Sequence, residues 1–431
     1  MQSKNNLKKV FLFVGFIILT ITGNAQQTFP INLETVLKLS GANNLTVKEY
    51  QLKYKMAIAE QAKAKEWWLP NVYAGATTHY LTGAAMNADG KIFTGVKQTN
   101  VWAGLGLNME IDFGKGFYQV LAAKQKVEAA NYYSLAEKNK IILEAVSTYF
   151  DLQASQLNYA FLQQLALQSD TLTQQIKIQV DAGIRYQSEY LLSQSNYNHL
   201  KITSLQAKMA WQKSAAQLAN LLNLGKNTSL ISADTALVAV EFSTQILDTT
   251  GFKLRPEYGG LAAELQALQT SKKTVTQGLL LPKFRLGMDN GAFGAYTTPQ
   301  YNTYQYNASL LWNLPFGRLT YKGDLKKVDA QIHLQQNALE QFKNQYQEEI
   351  TMANTGLELA AEQMGIAKEA LQVSTEAMSQ SIERQKLQTA KPFEVFQAQQ
   401  FLLQAQVDYL NTIASYNKAQ FELKVAKGEL L

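Results

Sequence analysis

The sequence predicts a mixed membrane α+β chain, in which a few amphipathic strands alternate with very long helices and the whole plan occurs twice. Three observations predict it. Short landmarks recur in the same order in both halves of the chain. Between the first two landmarks of each half, apolar residues fall at every second position. Elsewhere the apolar residues step by three and four over unusually long stretches.

The landmarks set the frame. Trp68-Leu69-Pro70-Asn71 returns as Leu280-Leu281-Pro282-Lys283, and Asp112-Phe113-Gly114-Lys115 returns as Pro315-Phe316-Gly317-Arg318. Glu189-Tyr190-Leu191-Leu192-Ser193-Gln194 returns as Glu394-Val395-Phe396-Gln397-Ala398-Gln399. The copies lie a little over 200 residues apart each time. This divides the chain into repeats over residues 26–225 and 251–431, joined by a less regular linker over 226–250.

The strands come next. Val101, Ala103, Leu105, Leu107, Met109, Ile111 and Phe113 alternate with Asn100, Gly104, Gly106, Asn108, Glu110 and Asp112, Trp102 being the exception. In the second copy Tyr304, Tyr306, Ala308, Leu310, Trp312, Leu314 and Phe316 alternate with Thr303, Gln305, Asn307, Ser309 and Asn313. Period two over this length predicts a strand with one apolar and one polar face. Shorter alternating runs precede each, at Val72–Tyr80 and Phe284–Met288, so each repeat holds a hairpin, at about 70–113 and about 282–316. Polar loops are expected near 82–94 and 294–300. A soluble sandwich would alternate too. These strands, however, match the length that crosses a bilayer, and Tyr73, Tyr80, Trp102, Tyr301, Tyr304 and Trp312 gather towards their ends as in an aromatic girdle.

The remainder reads as helix, which 7 Pro in 431 residues permits. After Lys322 the apolar stripe runs through Leu325, Val328, Ile332, Leu339, Phe342, Tyr346, Ile350, Ala353, Leu357, Ala360, Met364, Ala367 and Leu371. Helices are expected from Arg318 to about Gln385, from Phe117 to about Val180, from Ser188 to Leu222, and from Pro392 to about Lys427. Gly183 suits the turn between two helices, and Pro392 suits a first helical turn.

The amino terminus carries an address. Lys4, Lys8 and Lys9 precede an apolar run from Val10 to Ile21 that is too short to span a bilayer, and Gly23 and Ala25 suit a signal-peptidase site before Gln26. Residues 1–25 are therefore expected to be a cleaved signal peptide. Those lysines account for three of the six net positive charges, and no acidic residue precedes Ala25, so the exported chain carries +3. With 0 Cys it has neither a disulfide framework nor a lipid-acceptor cysteine. Basic residues interspersed with Asp and Glu give nucleic acid no patch to bind.

Closure then constrains function. A sheet in lipid cannot leave its edges unpaired, and four strands cannot close a barrel. Other copies must supply the rest. A dimer would give eight strands and a barrel filled by its own side chains, a trimer twelve and a lumen. Asn100, Asn108, Glu110, Asp112, Lys283, Arg285, Thr303 and Gln305 would line the wet side.

Duplicated halves, Leu-Pro entry and Phe-Gly exit at each hairpin, Arg255-Pro256-Glu257 opening the second half, and the run Glu394–Gln399 after the second helical tip together resemble the TolC-like outer-membrane efflux family, over about Phe29 to Leu431. The resemblance implies a homotrimer whose twelve-stranded barrel, four strands per chain, sits in outer-membrane lipid and continues as a helical tunnel through the periplasm. It implies a passive exit channel of a tripartite efflux or type I secretion system, docked to a periplasmic adaptor and driven by an inner-membrane transporter. In that family acidic residues narrow the tunnel tip. Glu394 matches the first such position and Gln397 the second, while a nearby latching arginine matches Ala390. A ring of carboxylates would favour cations and resist closing by mutual repulsion. A single helix-start carboxylate favoured by the dipole is the plainer reading of Glu394. Adaptor docking in the family maps to both tips, here Gly183, Ile184 and Arg185 and, in the second half, Thr389, Ala390 and Lys391.

Enzymatic readings find little support. The 3 His (His79, His199, His333) share no element and no metal-ligand spacing, and Gly104-Leu105-Gly106 lacks the third glycine of a dinucleotide loop, Met109 standing there. No metal or cofactor is expected. The competing reading is a structural or adaptor coiled-coil protein of the periplasm, which would not need duplicated hairpins.

Overall fold

The computed structural model describes residues 27–225, 228–242, 251–296, 299–387 and 389–431. The expected signal peptide and parts of the expected linker lie outside them. By Cα packing the chain divides into two units. One comprises residues up to 49 with 135–255 and 344–431; the other comprises 50–134 and 256–343.

In chain order the elements are β1 (Gln27–Ile31), α1 (Leu33–Asn43), α2 (Leu45–Lys65), β2 (Asn71–Met86), β3 (Ile92–Asp112), α3 (Gly116–Asp181), α4 (Gln187–Leu221), β4 (Thr228–Ser232), α5 (Pro256–Thr274), β5 (Lys283–Ala295), β6 (Tyr301–Leu311), α6 (Phe316–Tyr321), α7 (Gly323–Lys386) and α8 (Pro392–Ala426). The order helix, hairpin, long helix, shorter helix thus occurs in each half. The 66 residues of α3 contain no Pro and only Gly116, at the first position, so nothing interrupts about 100 Å of helix.

The second unit is built on a four-stranded antiparallel sheet in the order β2-β3-β5-β6. Leu107 lies opposite Val72 on β2 and Met288 on β5, and Asn108 opposite Asn71 and Gly287, so the pleat sends the two sequence-predicted sets to opposite faces. β2 and β6 each pair on one side alone, and the sheet is open. Its apolar face leaves Val72, Leu105, Tyr306 and Leu310 exposed.

The strands depart from expectation at their ends. The first loop shrinks to residues 87–91, closed by Asn87, whose N–H donates to Lys91 O (3.0 Å) and whose side chain accepts from Lys91 N–H (2.8 Å). The second hairpin stops at Leu311 rather than 316: Pro315 has no N–H to pair, and it stands as the cap of α6, which begins at Phe316. The expected single helix from Arg318 is two, because Lys322 adopts a left-handed φ of 53°. The described part of the linker contains β4, which pairs in parallel with β1, Phe29 opposite Leu230.

The first unit holds the aliphatic core. Tyr149 and Phe150 of α3, Leu218 and Leu222 at the end of α4, Leu230 of β4, and Leu410, Ile413 and Phe421 of α8 bury together. Tyr149 donates to the carboxylate of Asp234. Nearer the tips, Leu172 and Ile176 pack with Met378, Val395, Phe396 and Leu402. Every residue of the predicted stripe from Leu325 to Leu371 is buried or half-buried, as a seam sustained at helical spacing requires. A second stripe on α7 is not: Met352, Leu359, Ile366 and Val373, seven residues apart, are 66, 50, 62 and 60 % exposed.

Candidate channel surfaces

Two surfaces collect the sequence-predicted site residues, one in each unit. The first is the polar face of the sheet. β3 and β5 run antiparallel with Glu110 opposite Arg285 and Asp112 opposite Lys283, and long side chains on directly opposed positions meet. Lys283 Nζ donates to Glu110 Oε1 and lies 3.0 Å from it and from Asp112 Oδ2, while Arg285 Nε donates to Glu110 Oε2 at 2.8 Å. Asp112 Oδ1 also accepts from the N–H groups of Gly114 and Lys115, closing the turn into α3. Two carboxylates and two cations at one end of the strands therefore cancel. Asn108 stands exposed beside them on the same face.

Two glycines of this face lie in close quarters. A Cβ on Gly104 would lie 2.2 Å from Asn290 O, and one on Gly287 2.4 Å from Asn307 Oδ1. At Gly104 the neighbouring backbone leaves no room for a side chain, and at Gly287 the space is taken by the Asn307 amide.

The second surface is the pair of helical tips. At the first, Gly183 takes φ +73°, and Gly183 and Ile184 N–H groups close on Val180 O and Gln179 O (2.9 Å each). Ile184 is exposed, whereas Arg185 folds back, its guanidinium 3.2 Å from Glu189 and donating to Gln179. At the second, Thr389 and Ala390 N–H groups both reach Arg384 O, at 2.9 and 3.3 Å; Ala390 is buried and Lys391 is the helix cap of α8. Glu394 is the third residue of α8. Its carboxylate accepts from Lys391 N–H (3.3 Å) and lies 3.1 Å from Arg384 Nη1. Gln397 is exposed, one turn on.

Arg384 is the residue that the sequence reading missed. Its only signal was its place ten residues before Glu394 across a tight tip. Behind the tips a polar ladder fixes the register of three helices: Thr173 Oγ1 meets Ser193 Oγ at 2.7 Å, and Asn196 Nδ2 donates to Gln399 Oε1 at 2.7 Å.

Among the described residues no group of His, Asp or Glu is placed to hold a metal ion, and no helix is long and apolar enough to cross a membrane. A β-barrel requires no such helix.

Known proteins fit this architecture. Residues 36–224 match the sequence profile of the outer membrane efflux protein family. No curated protein sequence matches significantly. Among solved structures, the Campylobacter jejuni CmeC outer membrane channel superposes with a TM-score of 0.77 at 18% identity, over 92% of this chain and 85% of that one. The Neisseria gonorrhoeae MtrE outer membrane channel, in its open state, gives 0.76 at 15%, over 92% and 89%. A membrane protein from Pseudomonas aeruginosa gives 0.78 at 15%, over 92% and 93%. Over residues 36–224 the chain thus resembles the outer membrane efflux protein family in sequence, and over nearly its whole length it shares the fold of these solved structures.

Proposed function

We propose that three copies of this chain close a twelve-stranded barrel in the outer membrane, which their helices continue as a periplasmic tunnel. The assembly is a passive exit conduit for solutes delivered by an inner-membrane transporter through a periplasmic adaptor. One observation carries the reading: the sheet has two unpaired edges, β2 and β6, and one exposed apolar face. Neither is tolerable in lipid or in water unless other copies pair the edges and acyl chains cover the face.

The second stripe on α7 supports self-association in the helical part. Met352, Leu359, Ile366 and Val373 repeat at heptad spacing and stand exposed among the described residues, as a seam awaiting a neighbouring helix does. The same order of elements in both halves supports a duplicated chain with repeats over 26–225 and 251–431, each contributing one hairpin. Gly183, Ile184 and Arg185, with Thr389, Ala390 and Lys391, form the tips offered to an adaptor. Glu394 and Gln397 border the tunnel mouth, and Asn108, Glu110, Asp112 and Arg285 face the barrel lumen. The exported chain starts after a cleaved leader.

Cross-linking and native mass measurement in mild detergent test the assembly. A trimer released from membranes only by detergent is expected. A monodisperse monomer, or a chain recovered in the soluble fraction as an adaptor would be, overturns it.

A further inference from the structure

Further along the polar face from the cancelled charges, all four strands border a groove of about 500 Å³, lined by Tyr73, Trp102, Asp289, Phe293, Thr303 and Gln305. Its construction is specific. Tyr73 on β2 and Asp289 on β5 are separated by β3, yet the Tyr73 hydroxyl donates to Asp289 Oδ1. The phenol can cross because the intervening residue is Gly106. A Cβ there would lie 2.3 Å from Tyr73 Cζ and 2.6 Å from Asp289 Oδ1. Trp102 leans towards Gly75 in the same way, its Cζ3 3.9 Å from where a Cβ would be. Phe293, four residues from Asp289 on the same strand and face and opposite Trp102, stands exposed.

The charge in this groove is uncompensated. The cations of the polar face, Lys283 and Arg285, are held by Glu110 and Asp112, and Arg285 is four residues from Asp289, about 13 Å along the strand. No Lys or Arg pairs with Asp289 among the described residues. Three aromatic rings and one carboxylate line this groove, Tyr73 in contact with Asp289 and Trp102 and Phe293 further along it, and with Thr303 and Gln305 as hydrogen-bonding groups they make surroundings that recognise an organic cation. The carboxylate supplies attraction, and the ring faces hold a weakly hydrated ammonium that water solvates poorly.

We propose that this groove is a binding station for aromatic or alkyl ammonium ions, repeated three times around the barrel. Its position in a lumen rests on the channel reading above. Such a station shortens the residence of cationic solutes in bulk water without trapping them, since the groove stays open along the axis.

The test uses purified full-length protein in planar lipid bilayers, with benzyltrimethylammonium as the probe and benzenesulfonate as its aromatic anionic counterpart. Wild-type pores should be blocked by the cation and not by the sulfonate. Asp289→Asn keeps an acceptor for Tyr73, so assembly is retained, and should weaken cation block about five- to tenfold, the scale of one lost charge contact. Trp102→Leu should weaken it about two- to fivefold. Conducting pores whose cation block is the same in wild type and Asp289→Asn overturn the proposal while leaving the channel reading intact. A protein that forms no conducting pore overturns the channel reading and the station with it.

Discussion

Arg384 and Glu394 clasp the second helical tip: Nη1 of the arginine, on the last turn of α7, lies 3.1 Å from Oε2 of the glutamate, on the first turn of α8. Both side chains remain about half exposed, at 56 and 42 %. The pair contributes at most about 1 kcal/mol to stability, because water and salt screen it. Its larger effect is on charge. Glu394, read from sequence either as one of a ring of carboxylates or as a helix-start carboxylate, is locally neutralised by the cation beside it.

That neutrality yields opposite outcomes for two substitutions. Glu394→Gln leaves Arg384 unpaired and should shift selectivity of reconstituted channels towards anions; Arg384→Gln should shift it towards cations. Thermal stability should change little in either. Reversal potentials in asymmetric salt check this, and identical potentials in both variants would remove Glu394 from the conduction path.

The two faces of β3 separate a second pair of variants. Leu107→Arg places a charge on the apolar face and should impair membrane assembly by roughly 2–4 kcal/mol. Asn108→Arg, the next residue, faces the polar side and should assemble with altered conductance. Heat-modifiability on gels together with single-channel recording distinguishes them. Equal assembly defects would mean that the faces are assigned wrongly.

The exposed heptad stripe on α7 gives a third. Ile366→Glu should leave the protomer folded, since the residue is 62 % exposed, and should reduce trimer yield severalfold at a given protein concentration. Sedimentation in detergent reads the effect. Ile176→Ala, by contrast, opens a cavity in the buried cluster near the tips and should cost about 2–5 kcal/mol of protomer stability.

A fourth concerns alkaline pH. Burial, reinforced by the hydrogen bond to Asp234, raises the Tyr149 phenol above its ordinary value of 10.0. The folded state therefore keeps a proton that the unfolded chain releases. This contribution is complete below about pH 10 and is lost as pH rises towards the folded-state value. Melting temperature should fall more steeply above pH 10 in the wild type than in Tyr149→Phe. Parallel curves would exclude the phenol as the cause.

Much of this architecture was legible in the residues, and the reason differs from element to element. The stripe from Leu325 to Leu371 was readable because a helix repeats its burial at a fixed step, and every member is buried or half-buried. Trp312, Leu314 and Phe316 misled because the alternation continues past the strand, through residues 312–315 and into the first residue of α6. Pro315, which cannot donate to a ladder, was the better guide. The contact of Tyr73 with Asp289 spans 216 positions and depends on the empty space above Gly106, and periodicity carries no information about empty space. Arg384 met Glu394 through a turn whose geometry no spacing rule specifies.

The left-handed residue at Lys322 makes the two halves of the chain differ in how the backbone leaves each hairpin. In the first half one uninterrupted helix, α3, follows β3 after a short turn closed by Asp112. In the second half the same path is jointed, since α7 ends its ladder at Gly323 and α6 begins a separate one. Two stretches alike in sequence pattern thus leave their hairpins differently, the first through a turn into one long helix and the second through a short helix that Lys322 ends.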